Sequence, residues 1–241
     1  METLYIVMPT YNEEENIRNV VAEWYPILDL ASKKSCLVIS DGGSKDKTLD
    51  ILYELQKEYP KLIILPRPNT DHGTKVTLLY KYAIECGADW IFQTDSDGQT
   101  LPSEFEQFWN LRNEYDVILG NRVVRGDGKD RKFVENVLRT YIRLFWGVWV
   151  PDANAPFRLM KSCVVDKYIN IIPDKFNLPN AFLAACFSKY KEKLKYIVIT
   201  FQPRAAGENY INWNRIFKIG YDSIKNFIKI RKLMNEYCSD R

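Results

Sequence analysis

Short apolar runs alternate with polar-patterned stretches through the first half of the chain. Leu4-Tyr5-Ile6-Val7-Met8, Cys36-Leu37-Val38-Ile39, Leu62-Ile63-Ile64-Leu65, Trp90-Ile91-Phe92 and Asp116-Val117-Ile118-Leu119 are compact and rich in β-branched and aromatic residues. Runs of that length predict buried strands. Between them, residues 13–30, 46–59, 74–86 and 103–112 predict helices. Asn12 is the expected N-cap of the first, with Glu13 to Glu15 favourable at its start. Strands alternating with helices predict an α/β fold, a mostly parallel Rossmann-like sheet with helices on both faces. The second half is less regular. It predicts an aromatic-rich amphipathic helix over 132–150, a loop leading into a short strand over 152–160, a buried helix over 179–189, a strand over 195–201 and a long final helix over 213–237.

Ligands of such sheets bind outside the carboxyl ends of the strands. The polar clusters of this chain fall there, at residues 9–13, 40–46, 94–99 and 120–125. Thr94-Asp95-Ser96-Asp97-Gly98-Gln99 follows an apolar strand directly. Two carboxylates one residue apart at a strand end can aim at one point, and hard oxygen ligands suit Mg²⁺ or Mn²⁺, which usually also hold substrate phosphates. An ordinary solvated Asp-Gly turn has the same composition. What separates the two readings is that four special clusters share one end of the sheet. At the neighbouring strand ends, Tyr11 could stack on a base, Glu13 could take a ribose hydroxyl, and Asp41 could accept from a base or ribose. The structural alternatives there are a capped helix start and a strand-to-helix turn.

Composition narrows the class. With 46% hydrophobic and 27% charged residues in 241, a globular chain with a full core is expected. A net charge of +3 is too small to imply a nucleic-acid partner. The five cysteines show no zinc-like spacing and are expected to be reduced thiols of a cytoplasmic protein. No signal-peptide pattern and no membrane-spanning apolar run is evident.

Taken together, the clusters resemble glycosyltransferase family 2. Val7-Met8-Pro9-Thr10-Tyr11-Asn12-Glu13 looks like that family's first strand and turn. Asp41-Gly42-Gly43-Ser44-Lys45-Asp46-Lys47-Thr48 looks like its nucleotide-contacting turn, with Gly42 where many members carry a second Asp. The Asp95-Ser96-Asp97 segment looks like its metal motif, particularly that of the dolichyl- or polyprenyl-phosphate sugar synthase branch. Gly120-Asn121-Arg122 and Ala155-Pro156-Phe157-Arg158-Leu159-Met160 are similar to later segments, with Ala155-Pro156 where Ser-Gly is usual. The stretch from Ile199 to Asn209 resembles the tail of bacterial members that build surface polysaccharides.

The resemblance implies a single GT-A domain over 1–241: a nucleotide-sugar and metal half over 1–125, an acceptor half over 126–212, and a basic amphipathic helix over 213–241. It implies inverting transfer of a hexose from a UDP- or GDP-sugar. Pro9, Tyr11, Glu13 and Asp41 would line the nucleoside pocket. Asp95, Asp97 and Gln99 would hold Mg²⁺ or Mn²⁺. Gly73 and Lys75 would face phosphate at a helix start. Arg122 and Arg158 would stabilise the leaving diphosphate, and Arg204 could close over the donor. His72, beside Asp71, is most simply a loop histidine at the pocket edge. Many members place an acid on the helix corresponding to 177–189, and this chain has none there. A phosphate acceptor needs no such base, because its second pKa of about 6 leaves it ionised. Polyprenyl phosphate or a lipid-linked acceptor is therefore expected. The alternative is a sugar hydroxyl of a growing glycan, with Asp152 or another acid as base. Outside this class stand a sugar nucleotidyltransferase, which should carry a basic Gly-rich loop after its first strand, and a non-catalytic nucleotide-sugar sensor. The basic helix at 213–237 and the stretch 139–146 suit either a membrane surface, or a membrane-protein partner, or packing on their own domain. The expected location is cytoplasmic, free or peripheral on the inner face of the membrane.

Overall fold

The computed structural model describes residues 1–123, 129–173 and 175–203, with backbone alone for 129–133. One seven-stranded sheet runs through both halves in the order β3-β2-β1-β4-β6-β5-β7. The strands are β1 (Leu4–Thr10), β2 (Cys36–Asp41), β3 (Leu62–Pro66), β4 (Trp90–Thr94), β5 (Val117–Asn121), β6 (Phe157–Lys161) and β7 (Leu194–Val198). All neighbours are parallel except β6, which runs antiparallel to both β4 and β5. The helices are α1 (Ile17–Trp24), α2 (Thr48–Glu58), α3 (His72–Glu85), α4 (Phe105–Asn110), α5 (Lys129–Trp146), α6 (Ser162–Ile169) and α7 (Pro179–Lys189).

Strand order reverses at β1, which pairs β2 on one side and β4 on the other. This is the switch point where a crevice opens beyond the carboxyl ends. The segments that leave β1 and β4 there are 11–13 and 95–99.

The sheet is buried on both faces, so its central strands are near-continuous apolar runs, broken on β4 and β6 by Gln93 and Arg158. Leu4, Ile6 and Met8 of β1 join Trp24, Phe92 and Phe157 on one side. Tyr5 and Val7 join the α3, α6 and α7 residues on the other. Phe92 anchors the first layer, its ring 4.8 Å from Phe105 and 4.7 Å from Phe157, both edge-on. Edge-to-face rings contribute beyond their buried area.

Several boundaries differ from the expectation for physical reasons. The first helix begins at Ile17, and residues from Tyr25 continue as a 3-10 helix with Pro26 near its start. Asn12 caps nothing: its φ is 54°, its Oδ1 accepts from the Lys45 backbone N–H at 2.8 Å, and its own N–H donates to Ser44 Oγ. The long-range partner overrides the local capping preference. The helix expected over 132–150 spans Lys129–Trp146, with Ile142 and Trp146 packed into the core and Leu144 left exposed. The final helix expected from 213 lies outside the described residues. Among the described residues, no helix is long and apolar enough to cross a membrane.

Candidate active site

Two loops build one wall of the cleft by bonding to each other. The Glu13 N–H donates to Thr48 Oγ1 at 2.8 Å, the Glu14 N–H to Asp46 Oδ2 at 3.1 Å, and the Lys47 N–H to Glu14 Oε2 at 2.9 Å. Short polar side chains at the ends of β1 and β2 thus lock the two turns together. The resulting cleft holds about 600 Å³ and is lined by Pro9, Tyr11, Glu13, Gly42, Lys45, Asp71, Lys75, Asp95 and Asp97, among others. That volume suits a small-molecule ligand of nucleotide size.

Tyr11 is 46% exposed on this cleft, an aromatic face open for stacking. Asp41 lies at the base of the same wall but is committed to its own turn. Its Oδ2 accepts from the Gly43 and Ser44 N–H groups at 2.8 and 3.0 Å, and its Oδ1 from Ser44 Oγ at 2.5 Å. The expected nucleoside contact is thus a carboxylate that shapes the loop.

Asp95 and Asp97 reach the cleft from the end of β4, as expected. The loop carrying them is pinned by Ser96 Oγ donating to the Pro9 carbonyl at 3.0 Å. Asp97 Oδ1 accepts from the Gln99 N–H at 3.1 Å, and Gly98 takes a φ of 72°, so the carboxylate caps its own turn. Gln99 does not join them. It is 1% exposed, and its Nε2 donates to the Gln202 carbonyl at 2.7 Å, tying down the chain that follows β7. Its burial corrects its placement beside the ion.

Lys75 is a buried cation of the cleft. The residue is 3% exposed, and its ammonium donates to the Thr10 carbonyl at 2.5 Å and sits 5.7 Å from the Tyr11 ring centroid. Burial lowers its pKa, while Asp41, Asp95, Asp71 and Glu13 pull it back up. A Cβ on Gly42 would stand 2.7 Å from this Nζ. Lys75 therefore fills the space in which a second Asp side chain would begin.

Gly73 serves packing rather than phosphate. A Cβ there would lie 2.2 Å from the Phe176 carbonyl and 2.7 Å from Asn177 backbone atoms. Asp71 already caps α3, accepting from the Thr74 N–H and hydroxyl at 2.9 Å each. A carboxylate at that helix start opposes a phosphate there. Gly73→Ala is expected to destabilise the protein by about 2 kcal/mol through overpacking. That should lower its melting temperature by roughly 4–8 °C, as a thermal unfolding scan would show.

The two arginines expected at the leaving group lie elsewhere. Arg122 forms a bidentate pair with Asp152, Nε to Oδ2 at 2.7 Å and Nη2 to Oδ1 at 2.8 Å, its side chain 6% exposed. The same pair removes Asp152 from the role of base. Arg158 is wholly buried on β6 and donates to Asn180 and to the carbonyls of Ala153 and Ala155. Neither lines the cleft. Arg204 lies outside the described residues. His72 lines the cleft mouth beside Asp71 with an open face to solvent. Desolvation and the Lys75 ammonium lower its pKa, against the opposing pull of Asp71 and Asp97.

Asn69, Thr70, Asp71 and Lys45 also line the cleft and are not among the ligands the sequence suggests. The Asp71-to-Thr74 spacing is a capping signature that could have placed Asp71 at the start of α3.

The family model for glycosyl transferase family 2 matches residues 5–169, well over half of the chain and the whole of this cleft. The chain belongs to that family. It is 24% identical, over 93% of its length and 69% of the relative's, to an uncharacterised glycosyltransferase of Synechocystis. It is 22% identical to the undecaprenyl-phosphate 4-deoxy-4-formamido-L-arabinose transferase of an Enterobacter, covering 91% of this chain and 65% of that one. The chain thus spans about two-thirds of the length of these relatives. Among solved structures it resembles the glucosyl-3-phosphoglycerate synthase of Mycobacterium tuberculosis with Mn²⁺, UDP-glucose and glycerol 3-phosphate. The TM-score is 0.67 at 15% identity, covering 95% of this chain and 80% of that one. That likeness shows a shared GT-A fold. Family membership sets aside the nucleotidyltransferase alternative.

Proposed function

We propose that this glycosyltransferase moves a hexose from a nucleotide-diphosphate sugar to polyprenyl phosphate, with inversion and with a divalent cation at Asp95 and Asp97. The observation that carries the reading is the cleft itself: its lining brings together an exposed aromatic ring, two carboxylates and the buried Lys75, whose ammonium lies 5.7 Å from that ring. Among the described residues no group of three His, Cys, Asp or Glu forms a closed metal cage. Two carboxylates fit Mg²⁺ or Mn²⁺, which are commonly held by one or two carboxylates with substrate phosphates completing the shell. A cation bound there would neutralise the charge that grows on the leaving diphosphate. The related structure that contains Mn²⁺ and UDP-glucose supports both donor class and metal.

The chain's own residues account for the rest. Tyr11 stacks on the base and orients the donor. Lys75 supplies a pre-placed, desolvated positive charge toward the diphosphate. An acceptor phosphate oxygen attacks the anomeric carbon as the bond to the diphosphate breaks, and the electron pair leaves with the nucleotide. No side-chain base is required, in keeping with the acid-free α7 and with Asp152 held by Arg122. The undecaprenyl-phosphate relatives support that acceptor.

Lys75→Met is expected to raise the donor KM by roughly 10- to 100-fold, the worth of one charge-assisted hydrogen bond. Initial-rate kinetics against donor concentration check it. The acceptor is tested by incubating the full chain with labelled donor and either polyprenyl phosphate or a lipid-linked oligosaccharide. Label on the lipid phosphate is expected. Label only on the oligosaccharide would replace the acceptor assignment.

A further inference from the structure

The antiparallel register of β4 and β6 sets Gln93 opposite Arg158. Both are fully buried, on the sheet face covered by α3 and α7. Polar groups in such a layer need partners. They find them in one continuous chain of hydrogen bonds. Arg158 Nη1 donates to Asn180 Oδ1 at 3.0 Å, and the Tyr80 hydroxyl donates to the same oxygen at 2.7 Å. Asn180 Nδ2 donates to Gln93 Oε1 at 2.9 Å. Gln93 Nε2 donates to Asp95 Oδ1 at 3.2 Å. The chain begins under the acceptor-side helix α7 and ends at a carboxylate of the cleft.

Its direction is forced. A guanidinium has donors only, and a carboxylate only acceptors. Asn180 must therefore turn its oxygen to Arg158, which turns its NH₂ to Gln93. Gln93 must then receive on Oε1, which leaves its NH₂ for Asp95. Flipping either amide sets two acceptors or two donors face to face at both of its ends. In a dry layer that mismatch is costly, and a fully satisfied network is rigid.

We propose that Gln93 and Asn180 are positioning residues of the donor site, transmitting the polarity of Arg158 to Asp95 and holding its carboxylate in the orientation that receives a divalent cation. This rests on the reading of Asp95 as a cation ligand. It gives Arg158 a role away from the cleft, which it does not line, and it explains why a glutamine follows the Trp90-Ile91-Phe92 run of β4 and an arginine stands between Phe157 and Leu159 of β6. Partners of this kind, one bond removed from a ligand, tune both its aim and its affinity.

Two near-isosteric variants of the full chain test the proposal. In Asn180→Asp the new carboxylate can still pair with Arg158 but has no donor for Gln93, so the Gln93 amide must turn its oxygen on Asp95. Gln93→Glu places an acceptor against Asp95 directly and leaves the Arg158–Asn180 bonds intact, so it carries the test if the first variant does not fold. The readouts are Mn²⁺ affinity in the presence of UDP by titration calorimetry, the split between KM and kcat for the donor, and the melting temperature. Each variant is expected to weaken Mn²⁺ binding roughly tenfold, the usual cost of losing an outer-shell partner. The Mn²⁺ requirement should rise while kcat at saturating Mn²⁺ largely recovers. A purely structural network would lower the melting temperature and leave Mn²⁺ affinity unchanged, and that result overturns the proposal. Asp95→Asn separates the two levels. If it binds Mn²⁺ with UDP as the unaltered protein does, the cation assignment fails. If it loses that binding while the two variants keep it, the positioning role alone fails.

Discussion

Asp97→Ala is expected to lower transferase kcat by about 10³-fold while leaving the fold intact. A factor of that size corresponds to about 4 kcal/mol of barrier, which is within what a cation contributes to charge developing on a phosphate. The carboxylate lines the cleft, two residues beyond Asp95 on the same loop. Beyond the bond that Asp97 accepts from the Gln99 N–H, the loop has other anchors. Ser96 Oγ bonds the Pro9 carbonyl, the Thr94 and Thr100 hydroxyls meet at 2.7 Å, and Gln99 grips Gln202 at two points. Transfer of labelled sugar, run beside a melting curve, checks both halves. Activity within tenfold of the unaltered enzyme would remove Asp97 from the reaction.

Asp152→Ala is expected to be the most destabilising polar substitution, costing about 3–5 kcal/mol. Arg122 would remain with its guanidinium buried and its bidentate partner gone; Glu135, at 3.9 Å, is too distant to replace both bonds. The Asp152 Oδ2 also takes the Arg122 backbone N–H at 3.2 Å, so the segment leaving β5 would lose its anchor. Urea denaturation should show a large fall in midpoint with little change in slope. Replacing both partners with apolar residues, Arg122→Met with Asp152→Leu, should recover part of the loss, because the buried Arg122 charge is then gone, while Glu135 loses its own ion pair with Arg122. A small effect of Asp152→Ala would mean that the pair is solvated in solution, and would reopen the base role for Asp152.

The fold of the first half was legible because each strand is a short apolar run bounded by Pro, Gly or Asp, and periodicity survives without tertiary information. The buried helix over 179–189 was placed on the same ground and is α7 as observed. The inverted strand β6 was not legible, since strand direction follows from pairing and not from local pattern. At the site, the sequence located the carboxylates that reach the cleft and the lysine that lines it with them. It misassigned residues whose role is decided by a distant partner. Asn12 is taken by Lys45, Gln99 by Gln202 and Arg122 by Asp152. Spacing along a chain carries no trace of such bonds. Gln93 and Arg158 did leave a signal, as polar residues inside apolar strands, which demand a buried partner before any functional role.

In the proposed function, Asp95 and Asp97 bind a nucleotide-sugar through a divalent cation. A thermal-shift panel of UDP- and GDP-sugars with Mn²⁺ and with chelator tests it most directly, since a ligand that binds only the folded state raises the melting temperature by linkage. One donor class should stabilise the full chain in Mn²⁺, lose that effect in chelator, and lose it in Asp97→Ala. Equal stabilisation with and without Mn²⁺, or in Asp97→Ala, would contradict the account.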